Sequence, residues 1–142
     1  MPTSHASAIW EGAFKDGKGT YRAESGAFSG TYTAATRFEG AAGTNPEELL
    51  AAAHAGCFSM ALAAGLTKAG HPPTRIATRA ACTIEPVKGT PTITRIALST
   101  RGTVPGIDGT TFKQAADEAK ANCPVSRLFK GNVEVTLQAT LE

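Results

Sequence analysis

Cys57 and Cys123 are the residues of this chain whose setting could do chemistry. Cys57 lies in Ala53-His54-Ala55-Gly56-Cys57-Phe58-Ser59-Met60, inside an apolar helix, and Cys123 lies in Ala121-Asn122-Cys123-Pro124-Val125-Ser126, at an apparent helix start. Thiolate is the reactive form, and a free cysteine ionises near about 8.5. Burial raises that value, and Cys57 is too deep in its helix to gain much from the positive N-terminal end. It needs a cation: an arginine from another element, or protonated His54, which stands three residues earlier on the adjacent face. Cys123 has the opposite logic. At a cap position, with proline fixing the helix start and backbone N–H groups pointing toward it, a thiol is easily ionised. If the fold brings the two together they form a dithiol redox pair, and this chemistry alone leaves open which attacks first. Cys82 falls on the apolar side of a strand and reads as core.

Glu47 stands ten residues before Cys57, with Glu48 beside it. On a straight helix Glu47 is about 80° round from Cys57, Glu48 about 180°, and the rise is roughly 15 Å. Direct contact with the sulfur is excluded. A carboxylate there can instead hold a long arginine whose planar fork of donors reaches the thiol. Plain structural readings compete with each role. A free cysteine is often simply buried, His54 suits a core histidine, Glu47 and Glu48 suit first-turn acids, and Arg37 suits a solvated strand charge. A zinc site from Cys57, Cys123 and His54 lacks the paired spacing that such sites use.

The elements that must position these residues follow from pattern. Short strands are expected at 5–10, 19–24 and 31–38, separated by glycine turns. A long helix follows, capped by Asn45 with Pro46 at its first position, or by Thr44 with Glu47 one residue earlier. It runs to about Ala69, before Gly70-His71-Pro72-Pro73. Arg75–Glu85 alternates, with Ile76, Thr78, Ala80, Cys82 and Ile84 on one side, and 92–100 is its hairpin partner. A second helix is expected from near Thr111 to Asn122, with Gln114 in the capping-box position, then a short helix from Cys123-Pro124 to about Gly131. The final strand, 132–141, alternates with Val133, Val135, Leu137, Ala139 and Leu141 inward. The expected class is α+β with antiparallel sheets around a long, buried central helix.

Bulk properties exclude several classes. The chain has 142 residues, enough for one domain spanning 1–142 with a real core. Its net charge is only +2 and its basic residues are scattered, so no nucleic-acid partner is expected. The N-terminus lacks a basic region followed by an apolar run, so no secretory signal is read. Three cysteines at unrelated spacings do not form a secreted disulfide framework, and a reducing, cytoplasmic setting fits better. The uncharged run 49–66 is Ala- and Gly-rich and short for a bilayer, so it reads as a core helix and not a membrane span.

Longer stretches carry a resemblance. Thr36-Arg37-Phe38-Glu39-Gly40, Gly43-Thr44-Asn45-Pro46-Glu47-Glu48-Leu49 and Ala53-His54-Ala55-Gly56-Cys57-Phe58-Ser59-Met60 resemble the OsmC branch of the OsmC/Ohr family. So do Val104-Pro105-Gly106-Ile107-Asp108, Asn122-Cys123-Pro124-Val125-Ser126 and the opening Ile9-Trp10-Glu11-Gly12. The resemblance covers nearly the whole chain. It implies a thiol-dependent peroxidase of organic hydroperoxides, and of hydrogen peroxide less well, acting in stress defence. It further implies an intertwined homodimer with active sites at the subunit interface, and no cofactor or metal. By motif, Cys57 resembles the peroxidatic cysteine and Cys123 the resolving one. Arg37 resembles the arginine that activates the thiolate, from either subunit, and Glu47 the glutamate that orients Arg37. An external dithiol would recycle the disulfide, a lipoylated protein being the reductant that the resemblance suggests. Leu50, Phe58, Met60 and Leu128 are candidates for an alkyl pocket. A redox sensor and a structural zinc domain are the alternatives from other classes.

Overall fold

Side-chain alternation builds the N-terminal sheet. In the computed structural model, which describes all 142 residues, β1 (Ala6–Glu11), β2 (Lys18–Ala23) and β3 (Ser29–Tyr32) pair antiparallel in that order. β2 turns Gly19, Tyr21 and Ala23 to its buried side. Tyr32 stacks on Tyr21 with ring centroids 5.2 Å apart, and a Cβ on Gly19 would stand 2.5 Å from the Tyr32 ring, so only glycine fits there.

The segment 31–38, expected as one strand, is divided. The strand stops at Tyr32, and α1 (Ala34–Phe38) follows. Thr33 and Thr36 cap α1 reciprocally: Thr36 N–H donates to Thr33 Oγ1 at 3.1 Å, and Thr33 N–H donates to Thr36 Oγ1 at 2.9 Å. A capping box normally carries Glu or Gln at the second position. With threonine there, the signal is hidden among β-formers.

The chain forms two compact units, Met1–Glu48 and Leu49–Glu142, and the second contains most of the long helix α2 (Pro46–Lys68). Asn45 is the cap of α2, accepting from Glu48 N–H at 2.8 Å, while Thr44 is taken by the Tyr21 hydroxyl at 2.8 Å. Gly70 ends it in the left-handed conformation (φ +87°), with Gly70 N–H donating to the Thr67 carbonyl and His71 N–H to that of Leu66. That pair of bonds is a Schellman motif.

The second sheet contains β4 (Arg75–Val87), β5 (Thr90–Thr103) and β6 (Glu134–Leu141). Lys88 and Gly89 form the two-residue turn of the β4–β5 hairpin, both with positive φ, as a twisted hairpin requires. The sheet departs from the expected antiparallel design at one pair, because β6 runs parallel to β5. Between them α3 (Gly109–Asn122) and α4 (Pro124–Phe129) carry the chain back to the end where β5 began, so the next strand must run the same way. The start of α3 also differs from expectation. Asp108 is its cap, accepting from Thr111 N–H at 2.8 Å.

Phe58, Leu62 and Leu66 recur every fourth residue along α2 and form one buried stripe with His54. The stripe packs on Ile96 and Leu98 of β5 and on Phe112, Ala116 and Ala119 of α3. The expectation of a helix buried on all sides is not met within one chain. Ala52, Ala53, Gly56, Met60 and Ala64 are exposed. α2 is long and apolar enough to cross a membrane by length and composition, and 22% of its most apolar stretch is buried. One sheet and one helix can cover only one side of a cylinder, so its other apolar face has no cover within the chain.

Gly102 of β5 lies against the fully buried Phe112 ring, and a Cβ there would overlap ring atoms. Gly102→Ala is expected to lower the unfolding free energy by about 1–3 kcal/mol, as overpacking does. Urea denaturation checks this, and an unchanged midpoint would mean that Phe112 has room to move.

Candidate active site

Cys123 joins two helices. Its backbone N–H donates to the Ala119 carbonyl at 2.9 Å and closes α3, while its Sγ accepts from Ser126 N–H at 3.4 Å and caps α4. Pro124 follows at the first helical position, where a missing N–H costs nothing. Cys123 is fully buried.

Cys57 reaches this junction from α2. Ser59 holds that part of the helix to the sheet, its hydroxyl donating to Thr78 Oγ1 at 2.7 Å, and Thr78 in turn bonds Thr100 at 3.0 Å. The Cys57 thiol lies near Cys123 and the Val125 backbone N–H, and both sulfurs are free thiols. Burial pushes Cys57 up from its ordinary value, the Val125 N–H pulls it down, and Cys123 raises it by hydrogen bond and charge, with the net direction upward. No cation is among these influences.

His54 does not supply one. Burial lowers its pKa, so the ring favours the neutral form, and its Nε2 lies 2.7 Å from Ser126 Oγ. The same contact argues against the zinc set of Cys57, Cys123 and His54, because the nitrogen facing this junction is already engaged. No three His, Cys, Asp or Glu side chains converge as a metal-binding set. Ser126 is the residue that sequence reasoning missed. Its signal was its place three residues after a cap, where the side chain turns back toward the capping residue.

In the first unit, Arg37 and Glu47 form one ion pair. Arg37 Nη2 donates to Glu47 Oε1 at 2.7 Å, and Nε lies 3.1 and 3.2 Å from the two carboxylate oxygens. The Glu47 side chain is only 6% exposed, whereas that of Arg37 is 34% exposed. Planar guanidinium matches carboxylate in this forked geometry, which fixes the arginine's orientation. Arg37 Cζ also lies 5.2 Å from the Phe38 ring centroid. Arg37 lines an open cleft of about 310 Å³ with Trp10, Phe14, Tyr32 and Phe38. Each unit thus contains one pair of the expected site residues. The four candidates for an alkyl pocket separate: Phe58 is core, Leu50 is half-buried, and Met60 and Leu128 are 76% and 74% exposed.

The OsmC-like protein family profile matches residues 39–138. The chain belongs to the OsmC family. It is 49% identical over 132 residues to the peroxiredoxin OsmC of Escherichia coli (strain K12), covering 92% of each chain. It is 34% identical over 101 residues to the organic hydroperoxide resistance protein of Xanthomonas axonopodis pv. citri (strain 306), covering 69% of this chain and 68% of that one. The OsmC fold extends to a solved organic hydroperoxide resistance protein from Elizabethkingia anophelis. That structure superposes with a TM-score of 0.79 at 22% identity, over 100% of this chain and 98% of the other.

Removing Glu47 from this ion pair leaves Arg37 without its three charged contacts. Glu47→Ala is expected to cost about 1–3 kcal/mol of unfolding free energy, measured by urea denaturation. A loss near zero would show that solvent replaces the carboxylate freely.

Proposed function

We propose that this protein is a thiol-dependent peroxidase that reduces organic hydroperoxides, and hydrogen peroxide less well, in oxidative and osmotic stress defence. The observation that carries the reading is the proximity of two free thiols, Cys57 and Cys123, in a chain 49% identical to a peroxiredoxin. Cys57 is the peroxidatic cysteine. Its thiolate attacks the distal peroxide oxygen, the O–O bond breaks, and the alkoxide takes a proton and leaves as alcohol. Cys123 is the resolving cysteine. It attacks the Cys57 sulfenic acid, forms a disulfide and releases water, which shields Cys57 from further oxidation. An external dithiol, a lipoylated protein in this reading, restores both thiols.

Arg37 activates Cys57. The surroundings of Cys57 push its pKa up, so a cation beside the sulfur would favour the thiolate. Arg37 is the arginine held in a fixed orientation by a buried carboxylate, and Glu47 has that orienting role.

The working form is an intertwined homodimer in which the whole chain, 1–142, acts as one domain and the active sites lie at the subunit interface. Two observations support it. Every residue of β1 is exposed in the single chain, and α2 has an uncovered apolar face that includes Met60. A second copy of the chain would cover both, and Arg37 of either subunit could then serve a given Cys57. A cytoplasmic location fits thiols that must be returned to the reduced state.

Cumene hydroperoxide and hydrogen peroxide consumption, with a dithiol reductant, tests the roles. Wild type is expected to turn over, Cys57→Ser to be inactive, and Cys123→Ser to complete about one turnover before its sulfenic acid over-oxidises. Arg37→Met is expected to move the pH profile of Cys57 alkylation upward, since the cation that favours the thiolate is lost while burial still raises the pKa. Wild-type activity in Cys57→Ser would overturn the assignment, and a wild type that consumes no peroxide would overturn the enzyme.

A further inference from the structure

His54 is fully buried, titratable and unused by the cycle above. Its Nε2 lies 2.7 Å from Ser126 Oγ, and the Cys123 thiol donates to that same oxygen at 3.2 Å. The three groups form a continuous line from sulfur to hydroxyl to imidazole. A hydroxyl has one proton to donate. When Ser126 accepts from the thiol, its own proton points to Nε2, which must then be the bare nitrogen of the ring. The proton of the neutral ring sits on Nδ1, which makes no hydrogen bond within the protein.

We propose that Ser126 and His54 form a proton relay that deprotonates Cys123 as the disulfide closes. The proposal rests on the Cys57–Cys123 cycle and adds the route of its proton. As the Cys123 sulfur attacks the Cys57 sulfenic sulfur, the S–S bond forms and the S–O bond breaks. The Cys123 proton passes to Ser126 Oγ, and the Ser126 proton passes to His54 Nε2. Hydroxide leaves and takes a proton from solvent water. The imidazolium then returns its proton through Ser126 to the hydroxide left in solvent, so the net change is thiol plus sulfenic acid to disulfide plus water. Cys57 sulfur is reduced, Cys123 sulfur is oxidised, and no other reactant is needed. His54 acts only through Ser126 and touches neither sulfur in this scheme, so it is a positioning residue for the proton.

Two further observations fit. Burial disfavours the imidazolium, so His54 rests neutral, ready to accept and quick to release. Ser126 also lines an open cleft of about 410 Å³, which gives the proton a way out to solvent. The titratable groups around the relay are few. Cys57 lies on α2 with His54. Asp117 and Lys120 of α3, and Lys130 after α4, line the same cleft as Ser126. From the side of β6 that cleft is lined by Val133 and Val135, and Phe129 covers the ring with centroids 5.8 Å apart.

The test is a rapid-mixing single turnover of the reduced protein with equimolar cumene hydroperoxide, trapping sulfenic acid and disulfide by mass against time. Ser126→Ala, Ser126→Thr and His54→Gln are compared with wild type at several pH values. Sulfenic acid formation is expected to be unchanged in all of them. Disulfide closure in Ser126→Ala and His54→Gln is expected to slow roughly 100-fold at pH 7, because the positioned proton acceptor is lost. The deficit should shrink as pH rises and solvent hydroxide takes the proton instead, while Ser126→Thr keeps the wild-type rate. Glutamine retains a hydrogen bond to Ser126 but cannot take a proton, so rescue by His54→Gln would reduce the line to a structural contact and overturn the relay. A loss of equal size at every pH would overturn it too, as would closure at the wild-type rate in Ser126→Ala. If His54→Gln does not fold, the Ser126 pair decides by the same pH criterion. A wild type that forms no disulfide would instead overturn the cysteine-pair cycle itself, a result distinct from any failure of the variants.

Discussion

A thiol buried against a second thiol is the constraint on which the rest of this structure depends. Desolvation raises the Cys57 pKa and makes it a poor nucleophile unless something else intervenes. Yet two sulfurs that are to form a bond need their backbones within a few ångströms of a fixed separation. The fold meets the second demand with rigid elements. Cys57 is carried by a helix anchored through Phe58, Leu62 and Leu66, and Cys123 is carried by the joint between α3 and α4, closing one helix and capping the next. Neither cysteine lies on a long loop, so bond formation needs only small local movement.

The first demand falls to polar groups around the pair. The Val125 N–H is the one lowering influence on Cys57, and it exists because Pro124 starts a helix immediately after Cys123. On the far side of Cys123, Ser126 and His54 continue a line of hydrogen bonds into the core. Arg37 and Glu47 form a separate, forked ion pair in the first unit. A guanidinium brought beside a thiol needs a counter-charge, and Glu47 already supplies one to Arg37.

Several elements were readable because local physics decides them. Asn45-Pro46 and Gly70 bracket α2, the alternation of β6 sets which residues face inward, and Cys123-Pro124 marks a helix start. Other features were not readable. Thr33 and Thr36 cap a short helix with residues that equally favour strand, so local propensity pointed the wrong way. The parallel pairing of β6 with β5 depends on where two helices set the chain down, and alternation alone carries no strand direction. The half-exposure of α2 was hidden because its sequence is apolar on nearly every face, so the pattern held no record of which side the sheet would cover.

By itself the sequence determined the reactive residue types, the helix that carries Cys57, the cap that carries Cys123, and the family to which the chain belongs. These are local or whole-chain properties, written in spacing and caps. Only the tertiary structure decided that Cys57 and Cys123 come close together, that Glu47 grips Arg37 by a fork, and that His54 faces Ser126 and not a sulfur. Residues 54 and 126 are separated by most of two helices and a hairpin. Their contact is set by packing of the α2 stripe on the sheet and α3, a sum of many small apolar contacts that no local pattern records.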